Sequence, residues 1–598
     1  MKLTVSLFTV FLFLLPLIFS RPSSLPSISN YSYPINRPQF PVFSPIQYIA
    51  IVATNDIHGR VAPIDEVMNA NLSIKTTGLT LLSKYLDALS AEWKDSLLWL
   101  DAGDQFQGSM ESNLFGGEPL IKFFNSKQDI KKVATFGNHD FDFGFGNLSQ
   151  RLSESNFDHV VSNINNLYNG KPVNFPNTYP SRIFNVGGIR VGVFGLTTQQ
   201  TPYTTAQDVS GLVFEDYLNT TITESNNLRS QGADIVILVS HVGMECQTGN
   251  VAALRKLGIR YPNTTPDTNC SSTDELAMFL SNLPEGLIDG VVAGHTHDIV
   301  HHFVNGIPVV NGENLARHFH VMYIAWDRTK KKVVREKNAI EGPIPVCDMV
   351  AVNETTCFAK YMSNPPNNKT QATRFTFHGR EITQDNHTAE ILSEYIHTAA
   401  AFNVKNLAVI ENPMLNAWES ESPLGDYVCD SLLEYSNSDF CIFNPGGIRT
   451  NWNQGNLTYY SLFQSFPFDN MVTTFEVTGQ ELIDMMTILQ AGKKGFYHTS
   501  GLRMEVCLHP HSLQNVSLVN GQSIDVNKTY VGVSNDFCVL DGGDDFHSVV
   551  NVIKLKNIKQ SKNLRDVLVD DLMRKGVVNS DDEPCVNPKF PRVILGNC

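Results

Sequence analysis

Five apolar runs in the first half of the chain each give way to residues able to bind a metal or move a proton. YIAIVA (48–53) leads to Asp56 and His58 in TNDIHG, and LLWL (97–100) leads to Asp104 in DAGDQFQGS. VATF (133–136) leads to Asn138, His139, Asp140 and Asp142 in GNHDFDFG. DIVILV (234–239) leads to His241 in SHVG, and DGVVA (289–293) leads to His295 and His297 in GHTHD. Imidazole, carboxylate and amide oxygen together suit zinc, manganese or iron better than calcium, which prefers oxygen alone. A lone histidine after a strand is more often a hydrogen-bonded structural residue, and a Gly-Asp pair is commonly just a turn. Recurrence after five separate runs favours one shared site. His318 and His320 alternate along a further expected strand outside this pattern and are assigned to an exposed face.

The runs themselves read as short strands buried on both faces, alternating with longer segments of helical character, which is an α/β layered organisation. IRVGVFGL (189–196) belongs to the same series without a polar cluster after it. Neighbouring strands of an open α/β sheet converge at their carboxyl ends on one crevice, so groups far apart in sequence can meet there. Glycines at 59, 103, 137, 243 and 294 permit the tight turns that aim side chains into such a crevice.

A chain of 598 residues exceeds what one core usually supports, so two domains are expected. With 42% hydrophobic and 18% charged residues it is globular in character. The formal charge of −15 argues against a surface that tracks nucleic acid. Residues 1–20 have the layout of a secretory signal peptide, with Lys2 before an apolar run, and 21–45 form a flexible Pro/Ser-rich lead-in. No other run is long enough to span a bilayer and no GPI-type tail follows, so no stable membrane anchor is expected. The first domain is assigned to 46–341, a linker to 342–373 on the strength of GPIP and SNPPNNKT, and the second domain to 374–598, opening with a helix over 387–402. Ten cysteines, none in a CxxC, fit an oxidising compartment and leave the disulfide connectivity open; Cys347 with Cys357 is one possible pair. Sequons such as Asn71, Asn219, Asn368 and Asn527 agree with secretion. The expected destination is extracellular, or the lumen of a vacuole or lysosome.

The order D-x-H, G-D-x-x-x-G, G-N-H-D, H and G-H-x-H resembles the calcineurin-like dinuclear metallophosphoesterases. ESPLGDYVCDSLL, FNPGGIR, FPFDN, SGLRMEV and SNDFCVLDGGDDF are similar to the C-terminal domain of the secreted 5′-nucleotidase and UDP-sugar hydrolase family. The resemblance implies a four-layer α/β-β/α N-terminal domain followed by an α+β substrate-binding domain that moves relative to it. It implies two divalent metal ions, one held by Asp56, His58, Asp104 and His297, the other by Asp104, Asn138, His241 and His295, with Asp104 as the bridge. Such a pair, about 3.5–4 Å apart, neutralises phosphoryl oxygens and lets a bound water ionise near neutral pH.

By the same resemblance His139, oriented by Asp142, assists at the phosphoryl group and leaving oxygen, while Asp140 is structural. Phe468 and Phe537 would flank a substrate base, Asn444 and Asp544 would contact the nucleoside, and Arg449 would clamp a phosphate. Cys429 and Cys441 match a disulfide of animal members. Two departures stand out: Trp418 and Glu419 occupy a stretch where nucleotide-specific members carry an arginine, and Pro445 replaces a glycine. The implied activity is hydrolysis of a small-molecule phosphate ester, foremost a nucleotide. The alternatives are a UDP-sugar, cyclic nucleotide or non-nucleotide ester at the same centre, or an inactive binding protein on this fold.

Overall fold

The computed structural model describes residues 31–32, 44–246, 258–262, 270–492, 495–508, 511–586 and 592–595. The expected signal peptide at 1–20 and most of the 21–45 lead-in lie outside the described residues, as does Cys598.

Two sheets organise the first domain. One has nine strands, with Ala339–Pro345, His318–Asp327, Ile46–Thr54, Leu97–Asp101, Lys131–Ala134 and Asp158–Val160 in that order at its centre. From Ile46–Thr54 onward its neighbours run parallel. The other has six strands, ordered Ser181–Val186, Ile189–Thr197, Ile235–His241, Gly290–Ala293, Ile307–Gly312 and Ile299–Val304.

Side-chain alternation explains why both sheets are apolar throughout. Ile49, Ile51 and Ala53 pack with Val191, Val193, Ile237 and Val239 of the other sheet. Their neighbours Ala50 and Val52 pack instead against Leu82, Leu86 and Leu89 of the helix Leu79–Trp93. On the far side, Val236 and Leu238 pack with Leu228 and Leu280 from the helices Tyr217–Ser230 and Glu275–Ser281. The layers therefore run helix, sheet, sheet, helix. The expected four-layer α/β domain is the one observed.

His318 and His320 correct one expectation: they are 6% and 0% exposed, not on an open face. Their strand, His318–Asp327, pairs on both sides and is buried along all ten residues. His318 bonds Glu313 at 3.0 Å, and the His320 ring abuts Gly342.

The 342–373 segment also differs from expectation. Gly342–Pro345 continues a central strand, a Cys347–Cys357 disulfide closes the following loop, and Ala372–Phe377 pairs with Met349–Ala351. Val346, Val350, Phe375, Phe377, Leu392 and Tyr395 all pack in the first domain's outer core. Prolines and asparagines signal a linker, but the apolar residues between them outweigh that signal by joining an existing core. The helix expected over 387–402 is two, Asn386–Ile391 and Ser393–Ala400, followed by a 3₁₀ turn at Ala401–Val404. The chain passes to the second domain there.

That domain is built on a five-stranded sheet ordered His498–Ser500, Phe440–Phe443, Thr529–Asn535, Met471–Thr478 and Lys556–Asn563. The helices Pro423–Ser436 and Leu564–Lys575 supply one apolar cluster and Gly479–Gln490 supplies another. Cys246–Cys270 and Cys347–Cys357 are bridged, and Cys507 is disulfide-bonded. Cys429 and Cys441, expected as a pair from the resemblance, are instead two buried thiols, the first facing the His498 carbonyl at 3.4 Å. Cys538 and Cys585 are thiols as well.

Candidate metal centre

Five strand ends from both sheets meet at one place. Asp56 and His58 follow Ile46–Thr54, Asp104 follows Leu97–Asp101, and Asn138 follows Lys131–Ala134. His241 closes Ile235–His241 in the second sheet, and His295 and His297 follow Gly290–Ala293.

The loops are bound to each other before any side chain is considered. Backbone N–H groups of Asp56, His58 and Gly59 donate to the carbonyls of Gly103, Asp104 and Gln105 at 2.8–2.9 Å. Asp140 braces the same loops: its carboxylate accepts from the backbone N–H groups of Gly137, Asp104 and Gln105. Gly137 is required for closeness, since a Cβ there would fall 2.1 Å from Asp104 Oδ1. Asp56, His58, Asp104, His295 and His297 all adopt positive φ, between 47° and 80°. That conformation is uncommon without glycine, and its concentration on the polar side chains of one pocket marks a functional constraint.

Asp56, His58, Asp104 and His297 offer four ligand atoms within 4.8 Å of one another. His297 Nε2 is 3.2 Å from Asp56 Oδ1 and 3.0 Å from His58 Nε2. Beside them, His241 Nε2 is 3.2 Å from Asp104 Oδ2 and 3.1 Å from Asn138 Oδ1. His295 Nδ1 is 3.0 Å from the same Asn138 oxygen. Asp104 therefore adjoins both groups. Asp56 and His241 are fully buried, and His58, Asp104 and Asn138 are at most 2% exposed.

Neighbours set the direction of each ligand atom. The Gln107 and Ala102 carbonyls hold Nδ1 of His58 and His241, at 2.8 and 2.7 Å, so Nε2 faces inward on both. The Asn138 amide donates to the Thr204 carbonyl at 2.8 Å, which turns its oxygen inward. Asn314 lies 3.0 Å from His297 Nδ1, and Asn55 Nδ2 lies 2.6 Å from Asp56 Oδ2. Sequence reasoning missed Asn55, Gln107, Thr204 and Asn314. Only adjacency to a motif could have pointed to Asn55 and Gln107, and nothing local marks the other two.

Two buried carboxylates among imidazoles form a set that calls for positive charge. Burial drives His58 well below its usual range and lowers His297. Burial acts the same way on His241, but Asp104 and Asp56 outweigh it and hold that imidazole up at about 10. Asp104 in turn lies well below the usual carboxylate range, because His241 and His139 outweigh its own burial. The mixed nitrogen and oxygen donors, and a proton held where a cation would do the same work, fit a divalent transition ion.

His139 stands at the rim, its Nδ1 2.8 Å from Asp142 Oδ2, while its backbone N–H donates to Asp104 Oδ1 at 2.7 Å. Burial opposes a charge on His139, yet Asp142 and Asp104 prevail and raise its pKa.

The second domain faces this rim. Arg449 Nη2 is 3.4 Å from His58 Nε2, and the Phe468 ring lies 5.5 Å from the His139 ring and 5.7 Å from the Arg449 guanidinium. Asn444 and Asp544 are bonded to each other at 2.7 Å. The Asp544 backbone N–H donates to the Tyr203 carbonyl of the first domain at 2.9 Å, beside a Tyr203–His547 stack. Phe537 is half-buried with its ring against Gly543, and no ring contact joins it to Phe468 among the described residues. Trp418 and Pro445, the two departures, both border Gly495.

The chain is similar to known proteins along both halves. Residues 49–298 match the family described as calcineurin-like phosphoesterase, and 400–551 match the 5′-nucleotidase C-terminal domain. Endonuclease YhcR of Bacillus subtilis is 24% identical over 522 residues, covering 84% of this chain; the chain spans only 38% of that longer protein. A 5′-nucleotidase of Vibrio parahaemolyticus is 25% identical over 458 residues, 74% of each chain. The crystal structure of a 5′-nucleotidase precursor from Thermus thermophilus has the same fold, with a TM-score of 0.69 at 20% identity over 92% of this chain and 100% of that one.

Proposed function

As the chain belongs to the 5′-nucleotidase family, with a calcineurin-like phosphoesterase domain and a 5′-nucleotidase C-terminal domain, we propose that it hydrolyses small-molecule phosphate esters, foremost nucleotides. The observation that carries this reading is the pair of adjoining ligand groups on Asp104, with Arg449 of the other domain beside them.

In this reading Asp56, His58, Asp104 and His297 hold one divalent ion, and Asp104, Asn138, His241 and His295 hold a second. The ions, when bound, would neutralise phosphoryl oxygens and make water acidic enough to ionise near neutral pH. The remaining work falls to side chains. Arg449 presents a planar guanidinium to the phosphoryl group at the domain boundary. His139, kept protonated by Asp142, sits where it can donate a hydrogen bond and then a proton to the departing oxygen. Phe468 borders both and offers a face for the leaving group. Asn444 and Asp544 supply polar contacts beyond it, and Phe537 is assigned the second ring of the substrate slot.

The two disulfides fit folding in an oxidising compartment, and we place the protein in the secretory pathway. No described helix is long and apolar enough to cross a membrane.

The test is to purify the full chain, measure bound metal, and assay nucleoside monophosphates, UDP-sugars, cyclic nucleotides and non-nucleotide monoesters with and without a chelator. Chelator-reversible hydrolysis led by nucleoside monophosphates is expected. Preference for another ester would move the substrate and keep the metal centre, whereas no hydrolysis of any ester by the metal-loaded protein would leave only a binding function.

A further inference from the structure

Beside the metal ligands lies a narrow cavity of about 10 Å³, bordered by His58, Arg60, Asn314, Arg449, Thr450 and Gln464. Such a volume admits one group the size of a water oxygen. Arg60 comes from the first domain, two residues beyond His58, and Gln464 from the helix Tyr459–Ser465 of the second. The cavity is complete only where the domains meet.

Its polar lining is short of partners. Arg60 is 4% exposed, its Nε has no hydrogen bond, and it pairs with no carboxylate within 4.0 Å among the described residues. Glu111 lies in its field, but the Glu111 Oε1 accepts from Tyr460 at 2.6 Å. Gln464 is 9% exposed, and neither its amide nitrogen nor its amide oxygen finds a partner among the described residues. Among the described residues Arg449 bonds only the Gly446 carbonyl and His58, with no carboxylate within 4.0 Å. Burying the unsatisfied Arg60 Nε and the unsatisfied Gln464 amide at one cavity, with the half-buried Arg449 on its border, is costly unless an occupant satisfies them. An anionic oxygen can accept from Arg60, from Arg449 and from the amide N–H together, and it brings negative charge that a water does not.

We infer that Arg60 and Gln464, with Arg449, form a hole for one anionic oxygen of a phosphoryl group bound at the metal ligands. The inference rests on the phosphoesterase reading and adds a substrate-positioning role that the sequence motifs did not assign. It gives the enzyme a second guanidinium for the phosphoryl group from the metal-bearing domain, in a chain where Trp418 and Glu419 stand in the stretch expected to carry an arginine. Both domains must be together to hold the oxygen, so grip on the phosphoryl group and domain contact are coupled.

The test uses the metal-loaded full chain and its Arg60→Met, Arg60→Lys and Gln464→Leu variants, with inorganic phosphate as the probe in titration calorimetry. KM and kcat for p-nitrophenyl phosphate are measured in parallel, and metal content is checked for each protein. Charge-assisted hydrogen bonds of this kind are worth about a factor of ten or more in affinity. Arg60→Met should weaken phosphate binding at least about tenfold and raise KM in step, with kcat within about threefold; Arg60→Lys should recover part of the loss. Gln464→Leu, which removes no charge and should fold even if Arg60→Met does not, should weaken phosphate binding about threefold or more. Phosphate affinity within twofold of wild type in both Gln464→Leu and a folded Arg60 variant, at equal metal content, overturns the hole and leaves a water there. That result would leave the phosphoesterase reading standing if the wild type still hydrolyses the ester. Failure of the wild type to hydrolyse any ester would reject the reading itself, while the phosphate affinities would still decide the hole.

Discussion

His139 Nδ1 lies 2.8 Å from Asp142 Oδ2, and Asp142 is itself fixed by Thr205 Oγ1 and the Ala206 N–H at 2.9 and 3.0 Å. The three-residue spacing on a single 3₁₀ turn, His139–Phe141, makes this contact local. A carboxylate so held keeps the imidazole oriented and charged, the state a proton donor needs. His139→Ala should retain its metal and lose about 10²–10⁴ in kcat. Asp142→Asn should lose less and shift the alkaline limb of the pH–rate profile downward, because the neutral amide no longer favours the imidazolium. Unchanged turnover in His139→Ala would remove the pair from the chemistry.

Asp104 touches both ligand groups, through His58 at 3.6 Å and His241 at 3.2 Å. Asp104→Asn halves its capacity to bridge, and elemental analysis should find fewer than two ions per chain alongside a fall in activity. Full metal occupancy with normal turnover would show that the ligand assignment is wrong.

Asn55 is 5% exposed and makes four side-chain contacts that tie Asp56 to the opposite sheet: Asp56 Oδ2, Asn311 Oδ1, the Glu313 carbonyl and the Gly312 N–H. Asn55→Asp would set a second carboxylate against Asp56 and two further oxygens. Metal affinity measured by competition with a chelator should fall about 10–100-fold, the usual scale for groups that orient ligands. An unchanged affinity would confine Asn55 to packing.

His159 is 1% exposed, its ring lies 4.7 Å from that of Phe157 and 5.9 Å from that of Phe136, and neither ring nitrogen has a partner among the described residues. Burial depresses its pKa to about 3, against an ordinary value of 6.5. The unfolded chain therefore takes up a proton at this imidazole below about pH 6.5 and the folded chain does not, so its contribution to stability falls as the pH drops. Between pH 7.5 and 5 that amounts to about 2 kcal/mol. His159→Phe should flatten the acid side of the stability curve, read from denaturant melts at the two pH values. An equal loss in wild type and variant would refute the assignment.

Much of the candidate site was legible in the chain. Apolar runs of four to eight residues suit strands covered on both faces, and polar clusters after five of them can gather wherever those strands end together. Asp56, Asp104, Asn138, His241 and His295 are positioned by that logic alone. The layer order follows from the same alternation, with Ile49 and Ile51 facing one way and Ala50 and Val52 the other.

Tertiary structure decided what local pattern does not encode. His318-x-His320 has the spacing of a polar face, but sheet neighbours on both sides and a facing strand bury it. The 342–373 segment has a linker's composition, yet its scattered apolar residues are claimed by a core already formed. The ring and amide orientations imposed by Ala102, Gln107, Thr204 and Asn314, and the meeting of Arg60 with Gln464, depend on backbone groups brought together from remote parts of the chain. Periodicity reports which face of an element is buried; it carries no record of which distant atom will lie against it.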